Sequence, residues 1–111
     1  MKLEPLFAEL RLTPVVGEPP SDFGGVYAGD FLSRAMSRVE ADDLWITIMS
    51  NVNVVAVASL TDAAAVVLAE SVELSDEAKT AEEKGIKILS SPLTVYEICG
   101  IIRAAEKAEK N

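Results

Sequence analysis

Hydrophobic and polar positions along this chain follow two rhythms. Short runs that are apolar throughout alternate with stretches whose apolar residues recur every three or four positions. The clearest repeat is Ala63 to Ser91, AAAVVLAESVELSDEAKTAEEKGIKILSS. Ala64 to Leu68 has no charge and is β-branched at its centre, which suits a strand buried on both faces. Ser75 offers a cap to the next helix, and Asp76 and Glu77 fall in its first turn, where negative charge meets the positive end of the dipole. Ala78 and Ala81 give that helix a small-residue inner face. Gly85 stops it in the left-handed C′ position, and Ile86 to Leu89 returns as a second strand. This is one β-α-β unit.

The rest of the chain repeats the rhythm. Leu3, Leu6, Phe7 and Leu10 are spaced i, i+3, i+4, i+7 and predict a short opening helix, with Pro5 in its first turn. Arg11 to Val16 reads as a strand in which Pro14 marks an edge or a bulge. Gly17 to Gly25, GEPPSDFGG, reads as a flexible loop. Val26 to Gly29 is a brief extended stretch. Asp30 then caps a helix whose inner stripe is Leu32, Ala35, Met36 and Val39, and Glu40 to Asp43 makes an acidic turn. Leu44 to Met49, LWITIM, is the plainest strand. Ser50 to Leu60 is rich enough in valine to suit a strand. The β-α-β rhythm favours a helix, capped by Asn51 or Asn53 with Val54, Val57 and Ala58 inward. Thr94 and Glu97 form a capping box, Leu93 can staple to Ile98, and Ile98, Ile101, Ile102 and Ala105 face the core. The polar tail, residues 107–111, is expected to fray. These elements predict one three-layer α/β domain over residues 1–111, a mostly parallel sheet of about four strands with helices on both faces.

Composition narrows the chemistry. The 111 residues suffice for one core, and the chain is 50% hydrophobic with no apolar run near the roughly 20 residues that span a bilayer. Glu4 and Glu9 interrupt any signal-like start, so a cytoplasmic location without membrane attachment is expected. A formal net charge of −8 repels phosphate backbones, and nucleic acid is not an expected partner. Cys99 is the one cysteine and histidine is absent, so neither a disulfide nor the commonest general base or metal ligand is to hand. Neither phosphate-loop pattern, G-x-x-x-x-G-K-[ST] nor G-x-G-x-x-G, occurs around Gly24-Gly25. Asp42-Asp43 and Glu82-Glu83 read as solvated pairs. No catalytic residue, metal or cofactor is assigned, and the chain is not expected to be an enzyme.

Two sets of residues remain as candidates. Open α/β sheets bind ligands beyond the carboxyl ends of their strands. Those ends carry Asp30; Ser50, Asn51 and Asn53; Glu70 and Ser71; and Ser90, Ser91 and Thr94. Helix N-termini that gather there favour a small anion or a nucleotide. The same residue types also serve as caps and turns for local reasons. Phe23, Tyr27 and Phe31 lie in or near the Gly-rich loop and are candidates for a self-association surface. A small chain this aliphatic favours a homodimer.

Three stretches carry a family resemblance: Gly24-Gly25-Val26-Tyr27-Ala28-Gly29-Asp30-Phe31-Leu32-Ser33, Asn53-Val54-Val55-Ala56-Val57-Ala58, and Gly85-Ile86-Lys87-Ile88-Leu89-Ser90-Ser91-Pro92-Leu93. With the order of elements, they make the chain resemble the DRTGG domain family. The pattern is also similar to the N-terminal domains of HPr kinase/phosphorylase and, more distantly, of Mur ligases. The chain departs from the family at its naming residues. Ala69-Glu70-Ser71 stands where Thr-Gly-Gly is usual, and the Asp-Arg pair expected near Ser50-Asn51 is absent. The resemblance implies an accessory module without chemistry of its own, dimeric and working with a partner enzyme.

Overall fold

The computed structural model describes residues 1–74 and 76–110, without the side chains of Glu77 and Ala78. The expected Ser75 cap, the inward place of Ala78 and the chain end at Asn111 lie outside the described residues and side chains. Five strands form one sheet: β1 (Thr13–Val16), β2 (Val26–Ala28), β3 (Leu44–Thr47), β4 (Ala65–Leu68) and β5 (Ile88–Ser90). Four α-helices accompany them: α1 (Leu32–Arg38), α2 (Val52–Thr61), α3 (Glu77–Glu83) and α4 (Val95–Lys110). The strand order is β1-β5-β4-β3-β2. From β2 to β5 every neighbour is parallel, and each step is made by one helix.

The fifth strand is β1, which runs antiparallel along β5. Pro14 lies in it, and the pairing register shifts between Pro14 and Val16. The proline therefore marks both an edge and an irregularity, the two places where a missing N–H costs least. The expected count of about four parallel strands becomes four parallel strands and one antiparallel edge.

Side chains alternate across the strands and build two cores. Leu44, Ile46, Val67 and Leu89 pack with Leu3, Leu6, Leu10, Ile98 and Ile102 on one face. Trp45, Val66, Leu68 and Ile88 pack with Ala35, Val55, Ala58 and Ala81 on the other. α1, α2 and α3 thus cover one face, while α4 and the N-terminal segment cover the second. Because both faces are closed, β3 and β4 are buried at every position. This double burial explains why α2 is so rich in valine: it lies over the middle of the sheet, with Val54, Val55, Val57 and Ala58 all inward. Its cap is Asn51, whose side chain accepts from the Asn53 N–H at 2.9 Å.

α3 ends as its glycine requires. Gly85 has φ +71°, its N–H donates to the Glu82 carbonyl at 3.1 Å, and the Ile86 N–H donates to the Ala81 carbonyl at 2.9 Å. Those two bonds make a Schellman motif. At α4 the Glu97 N–H donates to the Thr94 hydroxyl at 3.1 Å and the Thr94 N–H donates to the Glu97 carboxylate at 3.0 Å, the reciprocal pair of a capping box.

Two local expectations are corrected, the opening helix and the inward place of Met36. The opening helix is only a 3₁₀ turn, Glu4–Leu6, followed by further turns that end at Arg11 with φ +53°. Leu3, Leu6 and Leu10 are nevertheless buried, so the apolar spacing reports the burial and not a full helix. The loop 17–25 is pinned in its second half. Leu3 N–H donates to the Ser21 carbonyl, Phe23 N–H to Met1 and Gly24 N–H to Asp42. Met36 is 43% exposed, because a seven-residue helix this short turns only Leu32 and Ala35 towards the sheet before Val39 closes it. α4 continues to Lys110. Alanine, glutamate and lysine are good helix formers, and Lys107 and Lys110 meet the negative end of the dipole.

Candidate functional site

The carboxyl ends of the parallel strands form a rim, and most of the candidate polar residues line it. Each is accounted for first by its own hydrogen bonds. Asp30 follows β2 but does not cap α1, whose N-cap is Phe31 without a side-chain bond. Its Oδ1 instead accepts from the Thr47 hydroxyl at 2.7 Å and from the Ile48 N–H at 2.9 Å. The carboxylate thereby closes the end of β3 and pairs the Ile48 donor where the ladder gives out. Thr47 is fully buried and its oxygen also accepts from Met49 N–H at 3.1 Å. Sequence reasoning passed over Thr47. The signal was there, a hydroxyl at a core position of an otherwise apolar strand.

Glu70 and Ser71 follow β4 and take left-handed backbone angles, φ +59° and +58°. Glu70 N–H donates to the Leu93 carbonyl at 2.9 Å and Ser71 N–H to the Ser91 carbonyl at 3.0 Å. The turn after β4 is thus laced to the turn after β5. Ser91 is 1% exposed, and its hydroxyl donates to the Leu10 carbonyl and accepts from the Leu93 N–H at 3.1 Å. That makes Ser91 a structural residue. Thr94 is held by the capping box, which pulls the Glu97 carboxyl below its ordinary value, chiefly through the hydrogen bond from the Thr94 backbone. Asn51 is spent on the α2 cap, and Ser50 and Asn53 stand outside the core beside it.

One concavity gathers part of the set. A cleft of about 360 Å³ lies between the edge strand and the two laced turns, lined by Val15, Ser71, Leu74, Ser90, Ser91 and Pro92 among others. Ser71, Ser90 and Ser91 come together here, while Asp30 stands at the end of β3, on the far side of β4. Val15 and Leu74 were not among the candidates. Their placement depends on β1 returning along β5, which no local pattern reveals. The lining has hydroxyls, apolar side chains and one carboxylate, Glu73, a chemistry for holding a small polar ligand. Among the described residues no cluster of three His, Cys, Asp or Glu could hold a metal ion, and every buried side-chain nitrogen or oxygen has a partner.

The aromatic candidates divide. Phe23 is 2% exposed and belongs to the α4-side core, so it is corrected from interface to core: the N-terminal segment covers it. Tyr27 is half-buried against the opposite core, with its ring over Gly29. Phe31 is 69% exposed. Trp45 is wholly buried and donates its indole N–H to the Gly29 carbonyl at 2.9 Å. Cys99 is partly buried, which pushes its thiol up.

No protein-family model matches the chain. No curated protein matches it either. Among solved structures, it is similar to the CBS and DRTGG domains of the regulatory region of Clostridium perfringens pyrophosphatase, crystallised with the activator diadenosine tetraphosphate. The TM-score is 0.71 at 13% sequence identity, covering 91% of this chain. The chain spans 45% of the length of that structure. No described helix is long and apolar enough to cross a membrane. At that identity the likeness is one of fold, and the fold of this chain is a DRTGG-like α/β domain.

Proposed function

We propose that this chain is a non-enzymatic regulatory module that acts with a partner enzyme in the cytoplasm and associates as a homodimer. The observation that carries the reading is the shared fold with a regulatory region, over nine-tenths of the chain. The chemistry of the rim supports it: Asp30, Asn51, Ser91 and Thr94 are engaged in caps and turn bonds, and histidine is absent from the sequence. Light scattering of the pure protein, alone and with a nucleotide mixture, tests the reading. A dimer whose mass nucleotides leave unchanged supports it. Turnover of a substrate that is lost on Ser90→Ala overturns it.

A second reading has its own observation. The cleft at Ser71, Ser90 and Ser91 is of a size for part of a nucleotide, and the similar structure holds a dinucleotide activator. On this reading the module senses a small anion or nucleotide at the strand-end rim. A ligand at a hundred times its dissociation constant stabilises a fold by about 2.7 kcal/mol, so a thermal-shift panel of nucleotides and anions separates the two readings.

A further inference from the structure

The two edges of the sheet are built differently. β1 carries Pro14 and an irregular register, devices that discourage another strand from pairing. β2, Val26-Tyr27-Ala28, has no proline, charge or bulge. In its ladder with β3 the Leu44 N–H donates to the Gly25 carbonyl and the Gly29 N–H to the Ile46 carbonyl. Odd-numbered residues therefore bond inward, and the N–H and C=O of Val26 and Ala28 face outward. Beside this edge, on the α4 face, lies a groove of about 300 Å³ lined by Val26, Cys99, Ile102, Arg103 and Glu106.

We propose that the β2 edge and this flank of α4 are the surface on which a second copy of the chain docks, joining the two sheets edge to edge. The inference rests on the homodimer reading above and names its contact. A two-fold axis at Tyr27 sets Val26 of one copy opposite Ala28 of the other, and each such pair exchanges both N–H···O bonds. All the outward groups of the strand are satisfied by a copy of itself. The same axis keeps both α4 helices on one face and runs them antiparallel. Tyr96, Cys99, Arg103, Glu106 and Lys110 are spaced i, i+3, i+7, i+10, i+14 and form one stripe of that helix. Reversed on itself, the stripe brings the aromatic end of one helix towards the basic half of the other. Tyr96 is 88% exposed, an isolated aromatic with a cation-binding face. Charge is least adverse on this surface, where Arg103 is paired with Glu106 in its own helix at 3.7 Å. A chain of formal charge −8 repels its copy over most of its surface, whereas this stripe carries two cations and one carboxylate.

The test is sedimentation velocity of the full chain across micromolar concentrations, with Ala28→Pro, Tyr96→Glu and, on the opposite edge, Val15→Lys. Ala28→Pro removes an outward N–H and no internal ladder bond, and Tyr96→Glu is a surface change in the first turn of α4 that leaves folding intact. The expected result is a wild-type dimer whose mass halves to the 11.9 kDa single chain in both variants and stays dimeric in Val15→Lys. Labelling of Cys99 by a thiol reagent should slow as the wild type dimerises and should not slow in Tyr96→Glu. A dimer that persists in Tyr96→Glu, with Cys99 labelling independent of concentration, overturns this surface and leaves the homodimer standing. A wild type that is monomeric throughout overturns both.

Discussion

The Ser91 hydroxyl donates a 2.7 Å hydrogen bond to the Leu10 carbonyl, 81 positions earlier in the chain. The bond is buried, and it ties the turn after β5 to the N-terminal turns that precede β1. The same oxygen accepts the Leu93 N–H, so one hydroxyl settles two backbone groups. Ser91→Ala leaves both without this partner, and a buried polar group left unpaired costs about 1–3 kcal/mol. Urea denaturation should show a loss in that range. Ser90→Ala, at a half-buried neighbour with no such bond among the described residues, should stay within about 0.5 kcal/mol of wild type. Equal effects at the two serines would refute the structural role assigned to Ser91.

Asp30 gives a paired prediction at the other end of the rim. Its Oδ1 accepts both from Thr47 and from Ile48. Asp30→Asn keeps an acceptor oxygen in place and should lose only the charge-assisted share of the two bonds, whereas Asp30→Ala loses both. Thermal melts should rank wild type above Asn and Asn above Ala, with the alanine variant down by about 1–3 kcal/mol. If the alanine variant melts with the wild type, the closure of β3 does not depend on this carboxylate.

Gly85→Ala isolates a backbone cost. A Cβ at Gly85 meets nothing within 4 Å, so sterics against neighbours play no part. The angle φ +71° alone opposes the change. A left-handed alanine costs about 1–2 kcal/mol, and the stiffer unfolded chain returns roughly 0.4–1 of it. A net loss near 1 kcal/mol is expected from chemical denaturation. A stabilised variant would mean that α3 ends without this left-handed residue.

Where a feature is local, the sequence shows it. The Thr94–Glu97 box and the Gly85 stop depend on residues a few positions apart and are read directly from spacing, which also narrows the α2 cap to Asn51 or Asn53. The apolar run of β4 suits a strand buried on both faces, and the following polar helix and glycine stop settle it, since α2 carries a similar run as a helix. The three-layer α/β fold follows from this rhythm. What could not be read is long-range. Asp30 satisfies a general rule for helix caps, yet its carboxylate goes to Thr47 and Ile48, partners that only the β2–β3 pairing brings near. Phe23 sits among loop-forming residues and is buried because Met1 and Leu3 fold over it. The cleft at Ser90 needs Val15 from an antiparallel edge strand. In each case the deciding neighbour is more than a dozen residues away and leaves no mark on the local pattern.

Glu97 supplies a pH test of the α4 cap. Its carboxyl is held below the ordinary glutamate range, first by the hydrogen bond from the Thr94 backbone and then by the Thr94 hydroxyl. A folded-state value below the unfolded one means that the unfolded chain binds the proton more readily as pH falls. The contribution of Glu97 is therefore fully present above about pH 4.5 and is lost as pH drops through the lower folded value. Glu97→Gln can still accept from Thr94 but does not titrate. Melting temperatures of the two proteins between pH 7 and pH 3 should differ by a constant amount down to the ordinary carboxylate range and then converge. The other acidic residues titrate in both proteins and cancel in the difference. Adding Thr94→Ala to each protein should weaken the convergence without abolishing it, since it removes the hydroxyl and leaves the larger backbone hydrogen bond in place. Curves that run parallel to the lowest pH would show that Glu97 is not held in its charged form by the cap.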